Sequence, residues 1–107
     1  MELKIYWTDF SRNELRAIFN YYNEIVGLKT ARKMVLGITN EVLKLKDQPE
    51  IGQREELLID REQEFRYLLC KNYKVIYWVN SLEKRIEITD VFDTRQSPVK
   101  IQRNRGY

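Results

Sequence analysis

Two amphipathic helical stripes joined by a single glycine-centred link constrain this chain more than any other feature. Leu15, Ile18, Phe19, Tyr22, Ile25 and Val26 recur at the three- and four-residue spacing of one buried helix face. Ala31, Met34, Val35, Ile38, Val42 and Leu45 repeat it over a second helix expected from about Lys29 to Asp47. Only Gly27 and Leu28 separate the two, and so short a connection forces an antiparallel hairpin. Gly27 is a natural stop because it tolerates the left-handed conformation that ends helices. Thr8, Asp9 and Ser11 are N-cap candidates for the first helix, and Ser11 with Glu14 has the spacing of a capping box. Gly37 lies inside the second, where it costs about 1 kcal/mol relative to Ala and points to a close helix–helix contact.

The period differs on either side of the hairpin. Before it, Leu3, Ile5 and Trp7 alternate with Lys4 and Tyr6 as a short first strand. After it, "DQPEIGQ" at 47–53 reads as a turn, with Pro49 ending the helix and Gly52 redirecting the chain. From Phe65 onward β-branched and aromatic residues dominate. "FRYLLC" and "YKVIYWV" flank a tight connection at Lys71-Asn72, and "RIEITDVF" follows Asn80–Lys84. The order is β-α-α-β-β-β. It predicts a two-layer α+β domain, the helical hairpin covering one face of a small, mostly antiparallel sheet. At 107 residues the chain is expected to form a single domain, 1–107, around one core.

The composition removes several chemistries. There is no histidine, which excludes Ser-His-Asp and Cys-His arrangements and paired-histidine RNA cleavage. Cys70 is the only cysteine, so neither an internal disulfide nor a cysteine-based zinc site is available. It lies in an apolar run and is expected to be a buried, inert thiol. Glu62/Glu64 and Asp90/Asp93 are the only tight acidic pairs near the strands, and neither has the flanking pattern of a metal loop. Four glycines scattered singly make no phosphate loop. No metal and no cofactor is expected. No apolar stretch has the length of a signal peptide or a membrane span, so a cytoplasmic protein without membrane attachment is expected.

Charge is modest in sum, +3, but unevenly placed. Residues 54–64 are net acidic, whereas after Asp93 there is no acid at all and Arg95, Lys100, Arg103 and Arg105 make a basic tail, 94–107. Such an end suits an anionic partner surface. Strand alternation turns Arg66 away from Phe65 and Tyr67. Arg95 sits just past the last strand. Were both to reach one open sheet face, with Lys74 or Arg85 nearby, their guanidinium forks would match phosphate oxygens, and Tyr67, Tyr73 and Tyr77 would offer stacking surfaces. Trp7, Tyr21 and Trp78 exceed what a two-layer core of this size hides and are expected to mark a partner surface.

This ordered set resembles the RelE/ParE superfamily of type II toxin–antitoxin toxins, which includes plasmid-stabilisation proteins. The resemblance rests on the first strand, the helical hairpin, the "PEIG" turn, "FRYLLCKNYKVIYWV" and the closing "ITDVFDTRQSP", and so covers nearly the whole chain. It implies a growth-inhibiting protein neutralised by a cognate antitoxin, here through Trp7, Tyr21 and Trp78. It also implies one of two targets. RelE-like members cleave messenger RNA on the ribosome; ParE-like members poison DNA gyrase and are not nucleases. In a RelE-like mechanism, metal-free, the ribose 2′-OH attacks its phosphate, Arg66 and Arg95 stabilise the transition-state charge, and Lys74 is the candidate base. The histidine or tyrosine often found near the C-terminus of such nucleases has no match except Tyr107, the last residue. The long second helix and the "DQPEIGQ" turn look ParE-like, and that side is favoured, with Arg85, Lys100, Arg103 and Arg105 as target contacts. A non-toxic RNA-binding or adaptor module is a third reading.

Overall fold

The computed structural model describes residues 2–104. β1 (Lys4–Trp7) leads into α1 (Asp9–Ile25) and α2 (Leu28–Leu43), followed by a two-residue β2 (Gln53–Arg54), β3 (Arg66–Cys70), β4 (Tyr73–Asn80) and β5 (Arg85–Asp93). Short 3-10 segments lie at Lys44–Lys46, Glu56–Leu58 and Pro98–Arg103. The strands form one sheet in the order β1-β5-β4-β3-β2, with β1 parallel to β5 and all other neighbours antiparallel. This is the expected α+β architecture with one strand more, since β2 is too short to show a period in the sequence.

The hairpin forms where the apolar spacing places it, and one of the three N-cap candidates caps α1. Thr8, not Ser11, is the N-cap: its side-chain oxygen accepts from the Ser11 backbone N–H at 3.2 Å. The same hydroxyl donates to the Ile88 carbonyl at 2.9 Å, so the cap also pins the helix start to β5. Ser11 is buried, its hydroxyl donating to the Thr8 carbonyl. At the other end, the N–H groups of Val26 and Gly27 both donate to the Tyr22 carbonyl. Gly27 takes a φ of 142°, a value that strains any residue with a Cβ.

The helices cover the side of the sheet that carries Tyr73, Val75, Tyr77, Ile86 and Ile88, meeting it with Ile18, Met34, Ile38, Val42 and Leu45. Tyr77 is fully buried and its hydroxyl accepts from the Gly52 N–H at 2.9 Å. A Cβ at Gly52 would stand 2.6 Å from that oxygen and 2.7 Å from the Tyr67 carbonyl, so the turn closes only with glycine. Cys70 is buried as expected, and burial, the largest influence on it, pushes its thiol pKa up, which keeps it unreactive.

The reverse face departs from the expectation of an open side. Leu58, Phe65, Ile76, Phe92 and Ile101 form a second buried cluster there, with Tyr67 and Trp78 packed at its margin. Leu58 and Ile101 come from the Glu56–Leu58 and Pro98–Arg103 segments. Through Asn104 the supposed cationic arm is therefore part of the fold, lying back on the sheet. β5 accommodates it with a bulge: Tyr77 pairs with Ile88 but Ile76 pairs with Asp90, leaving Thr89 as an extra residue. The Asn104 side-chain amide donates to the Thr89 carbonyl at 2.9 Å and stitches the tail onto that bulge. Among the described residues no helix is long and apolar enough to cross a membrane, and no acidic or cysteine cluster could hold a metal.

Candidate functional site

The strand cations do not converge. Arg66 pairs in register with Tyr77 and so lies on the helix side, at the β2 edge. Its Nη1 donates to the carbonyls of Gly52 (2.8 Å) and Glu50 (3.3 Å), and its Nη2 to the Glu64 carboxylate at 3.1 Å. It braces the turn at 50–52. Arg95 follows Asp93, which pairs with Tyr73 at the far end of β4. Four residues of β4, about 13 Å at the usual strand rise, separate the two register positions. Arg95 grips Asp93 through Nε (2.9 Å) and Nη2 (2.8 Å). That fork holds the Asp93 carboxyl below its ordinary range and raises the guanidinium pKa. The expected meeting of Arg66 and Arg95 on one open face is thus overturned by strand register and by local carboxylates.

Lys74 and Arg85 lie on the reverse face, away from both. The Lys74 ammonium sits 2.9 Å from the Oε1 of buried Glu55 and 4.2 Å above the Tyr67 ring. Arg85 pairs with Glu87 at 3.1 Å and lies 4.0 Å over the Tyr6 ring. The acidic stretch read at 54–64 thereby finds its use: Glu55 and Glu64 neutralise Lys74, Arg66 and Arg54. Transition-state stabilisation of a phosphate needs preorganised donors aimed at a common empty point. The donors of these four cations point instead at carboxylates and carbonyls.

The tail cations divide as well. Arg103 is a structural clamp. Its guanidinium donates to both oxygens of Asp90 (2.8 and 3.0 Å) and to Glu14 of α1 (3.1 Å), between the rings of Phe10 and Phe92. Asp90 is fully buried, and burial pushes its carboxyl up to about 6 despite the fork. Lys100 is exposed on the 3-10 segment. Arg105 and Tyr107 lie outside the described residues. The clamp was invisible to sequence reasoning because Glu14 and Arg103 are 89 positions apart and no local pattern links them.

The three aromatic residues expected on a partner surface also separate. Trp78 packs at the margin of the reverse-face cluster, and Tyr21 stands exposed on α1 with its ring edge-on to Tyr22 at 5.1 Å. Trp7 lines a groove of about 540 Å³ between β1 and the helices, together with Ile5, Leu15, Phe19 and Val35. Arg12 and Arg16 rim the groove and no acid lines it. β1 is an end strand of the sheet, so its outer edge adjoins the same groove.

Residues 5–98 match the family described as the ParE toxin of the type II toxin–antitoxin system, parDE. The chain belongs to the ParE toxin family. No curated protein sequence matches it significantly. Among solved structures it is similar to a chain of the chromosomal ParDE system from P. aeruginosa, with a TM-score of 0.71 and 21% identity over 86% of this chain and 96% of that one. A free-state mutant of the E. coli toxin RelE gives 0.53 and 15%, over 96% and 98% of the two chains. The YoeB dimer from Staphylococcus aureus gives 0.51 and 19%, over 86% and 97%. At these identities the likeness is one of fold, the RelE/ParE fold of two helices on a mixed sheet. In this ParE-family toxin, the first strand from Ile5 onward, the hairpin and the closing strands that carried the resemblance fall within the matched residues.

Proposed function

We propose that this ParE-family toxin inhibits growth by binding DNA gyrase, without nuclease chemistry, and that a cognate antitoxin holds it inactive. The internal neutralisation of the strand cations carries this reading. A RelE-like enzyme would need Arg66, Arg95 and Lys74 around one phosphate, yet they stand at two ends and on two faces of the sheet, and each has a carboxylate partner. Protein binding asks for no such convergence. The antitoxin would cover the Trp7 groove, where an apolar floor, two arginines and a free strand edge suit an acidic segment that adds alongside β1.

Purified full-length protein tests the target directly in two assays, gyrase supercoiling and cleavage of ribosome-bound message. Supercoiling is expected to stop, and to recover when the antitoxin is added, while message stays intact. Message cleavage that disappears in Arg66→Ala and Arg95→Ala would replace this reading with the endoribonuclease. Silence in both assays would favour the RNA-binding or adaptor module. For the target contacts, truncation after Pro98 is a poor probe because it removes Ile101 and Arg103 from their packed positions. Lys100→Glu is the better one: it is exposed, and its reversal is expected to weaken gyrase inhibition while sparing antitoxin binding.

A further inference from the structure

The Arg103 clamp leaves a charge over. One guanidinium stands between two carboxylates, Asp90 and Glu14, so one negative charge goes unanswered. The fork goes to Asp90, whose two oxygens both accept from it, whereas Glu14 accepts a single bond at Oε1. Among the described residues no hydrogen bond reaches the other Glu14 oxygen. The Glu14 side chain is 32% exposed and that of Asp90 fully buried, so the surplus faces outward at Glu14. There it lines a cavity of about 330 Å³ between α1 and the far ends of β4 and β5. Buried Ile18, Tyr73 and Val91 form the floor, and Ala17 and Tyr21 stand exposed at the mouth. Burial and a hydrogen bond to Tyr22 raise the Tyr73 pKa, so that hydroxyl stays neutral. The cation among the lining residues, Arg95, is already forked to Asp93 and adds no net charge. A cavity of this size lies at the small end of ligand sites and suits one inserted side chain.

We propose that this pocket receives a cationic side chain of the target protein, held by the Glu14 carboxylate and stacked on Tyr21. The inference rests on the gyrase reading above and gives that contact a place on the toxin, apart from the Trp7 groove. Charge complementarity selects the occupant. An anion would meet the surplus carboxylate and find Arg95 spent. The acidic segment that suits Arg12 and Arg16 in the Trp7 groove is excluded on the same ground. A guanidinium fits better than an ammonium, because its plane both forks with a carboxylate and stacks on an aromatic ring.

The test measures the affinity of the full-length toxin for gyrase, and for the protein encoded by the adjoining reading frame, with two variants. Ala17→Leu fills the pocket from an exposed helix position, and Leu is nearly as good a helix former as Ala, so the melting temperature is expected to hold. Glu14→Gln removes the charge but keeps an acceptor for Arg103, whose two bonds to Asp90 remain. Each variant is expected to weaken gyrase binding about tenfold or more, as for the centre of an interface, and to bind the antitoxin as the wild type does. Weakening by Ala17→Leu but not by Glu14→Gln overturns the proposal, since the occupant then carries no charge. Gyrase binding unchanged in both variants also overturns it and leaves the gyrase reading standing. Antitoxin binding lost in both, with gyrase binding kept, assigns the pocket to the antitoxin instead. A toxin-only dimer that Ala17→Leu dissociates assigns it to a second copy. A wild-type protein that does not bind gyrase overturns both the proposal and the reading beneath it.

Discussion

Replacing Asp90 by Asn is expected to stabilise the protein near neutral pH, although it breaks a two-pronged ion pair. Asp90 is fully buried and grips Arg103 at 2.8 and 3.0 Å. Burial nevertheless outweighs the fork and lifts the carboxyl to about 6 from an ordinary 3.8. A carboxyl whose pKa is raised by folding contributes most below its unfolded value and loses that contribution as pH rises through the folded one. The charged form therefore weakens the fold by about 3 kcal/mol near pH 7.5, falling to about 1 kcal/mol near pH 4.5. Asn is nearly isosteric, keeps an acceptor for one Arg103 N–H, and carries no charge to bury. Arg103 is not stranded, since Glu14 remains 3.1 Å away. Urea denaturation of both proteins at the two pH values isolates the effect from every other titrating group. The expected result is a more stable variant, by up to about 3 kcal/mol at the higher pH, with the advantage shrinking in acid. A variant less stable by 1 kcal/mol or more at the higher pH would show that the fork, not the burial, dominates.

Gly52→Ala is expected to cost about 1–3 kcal/mol by overpacking against the Tyr77 hydroxyl and the Tyr67 carbonyl. Tyr77→Phe should cost a similar about 1–3 kcal/mol by orphaning the Gly52 N–H, and the two should be non-additive in denaturant melts because they break one contact. Arg95→Ala should let the Asp93 carboxyl titrate nearer its ordinary value, followed by side-chain NMR; an unmoved titration would mean that the fork is not kept in solution.

Much of the fold was legible because its signals are local. A helical stripe, a glycine hinge and a run of alternating strand residues each declare themselves within a dozen positions, and α1, α2, β3, β4 and β5 fall where those signals put them. What failed needed information from far away. The Ser11–Glu14 capping box does not form: Thr8, also a candidate in the sequence, is the cap and bonds as well to β5 at Ile88. Strict alternation would have put Asp90 on the same face as Ile86 and Ile88; the extra residue Thr89 turns it to the reverse face, where it anchors Arg103. Sequence shows the charge of Arg66 and Arg95 and not the register that separates them. Acid-free sequence after Asp93 suggests a free arm, yet Ile101 and Asn104 tie it down, and the charge of Arg103 is answered from Glu14 and Asp90, residues well upstream.

The cations on this sheet serve the fold, and the proposed toxicity by protein binding follows from that. Induced expression in cells lacking the antitoxin, with DNA replication and protein synthesis followed separately, tests it most directly. Replication is predicted to fail first, and to fail equally in an Arg66→Lys strain whose protein remains folded. An immediate arrest of translation, with message cut on the ribosome and replication initially untouched, would contradict it.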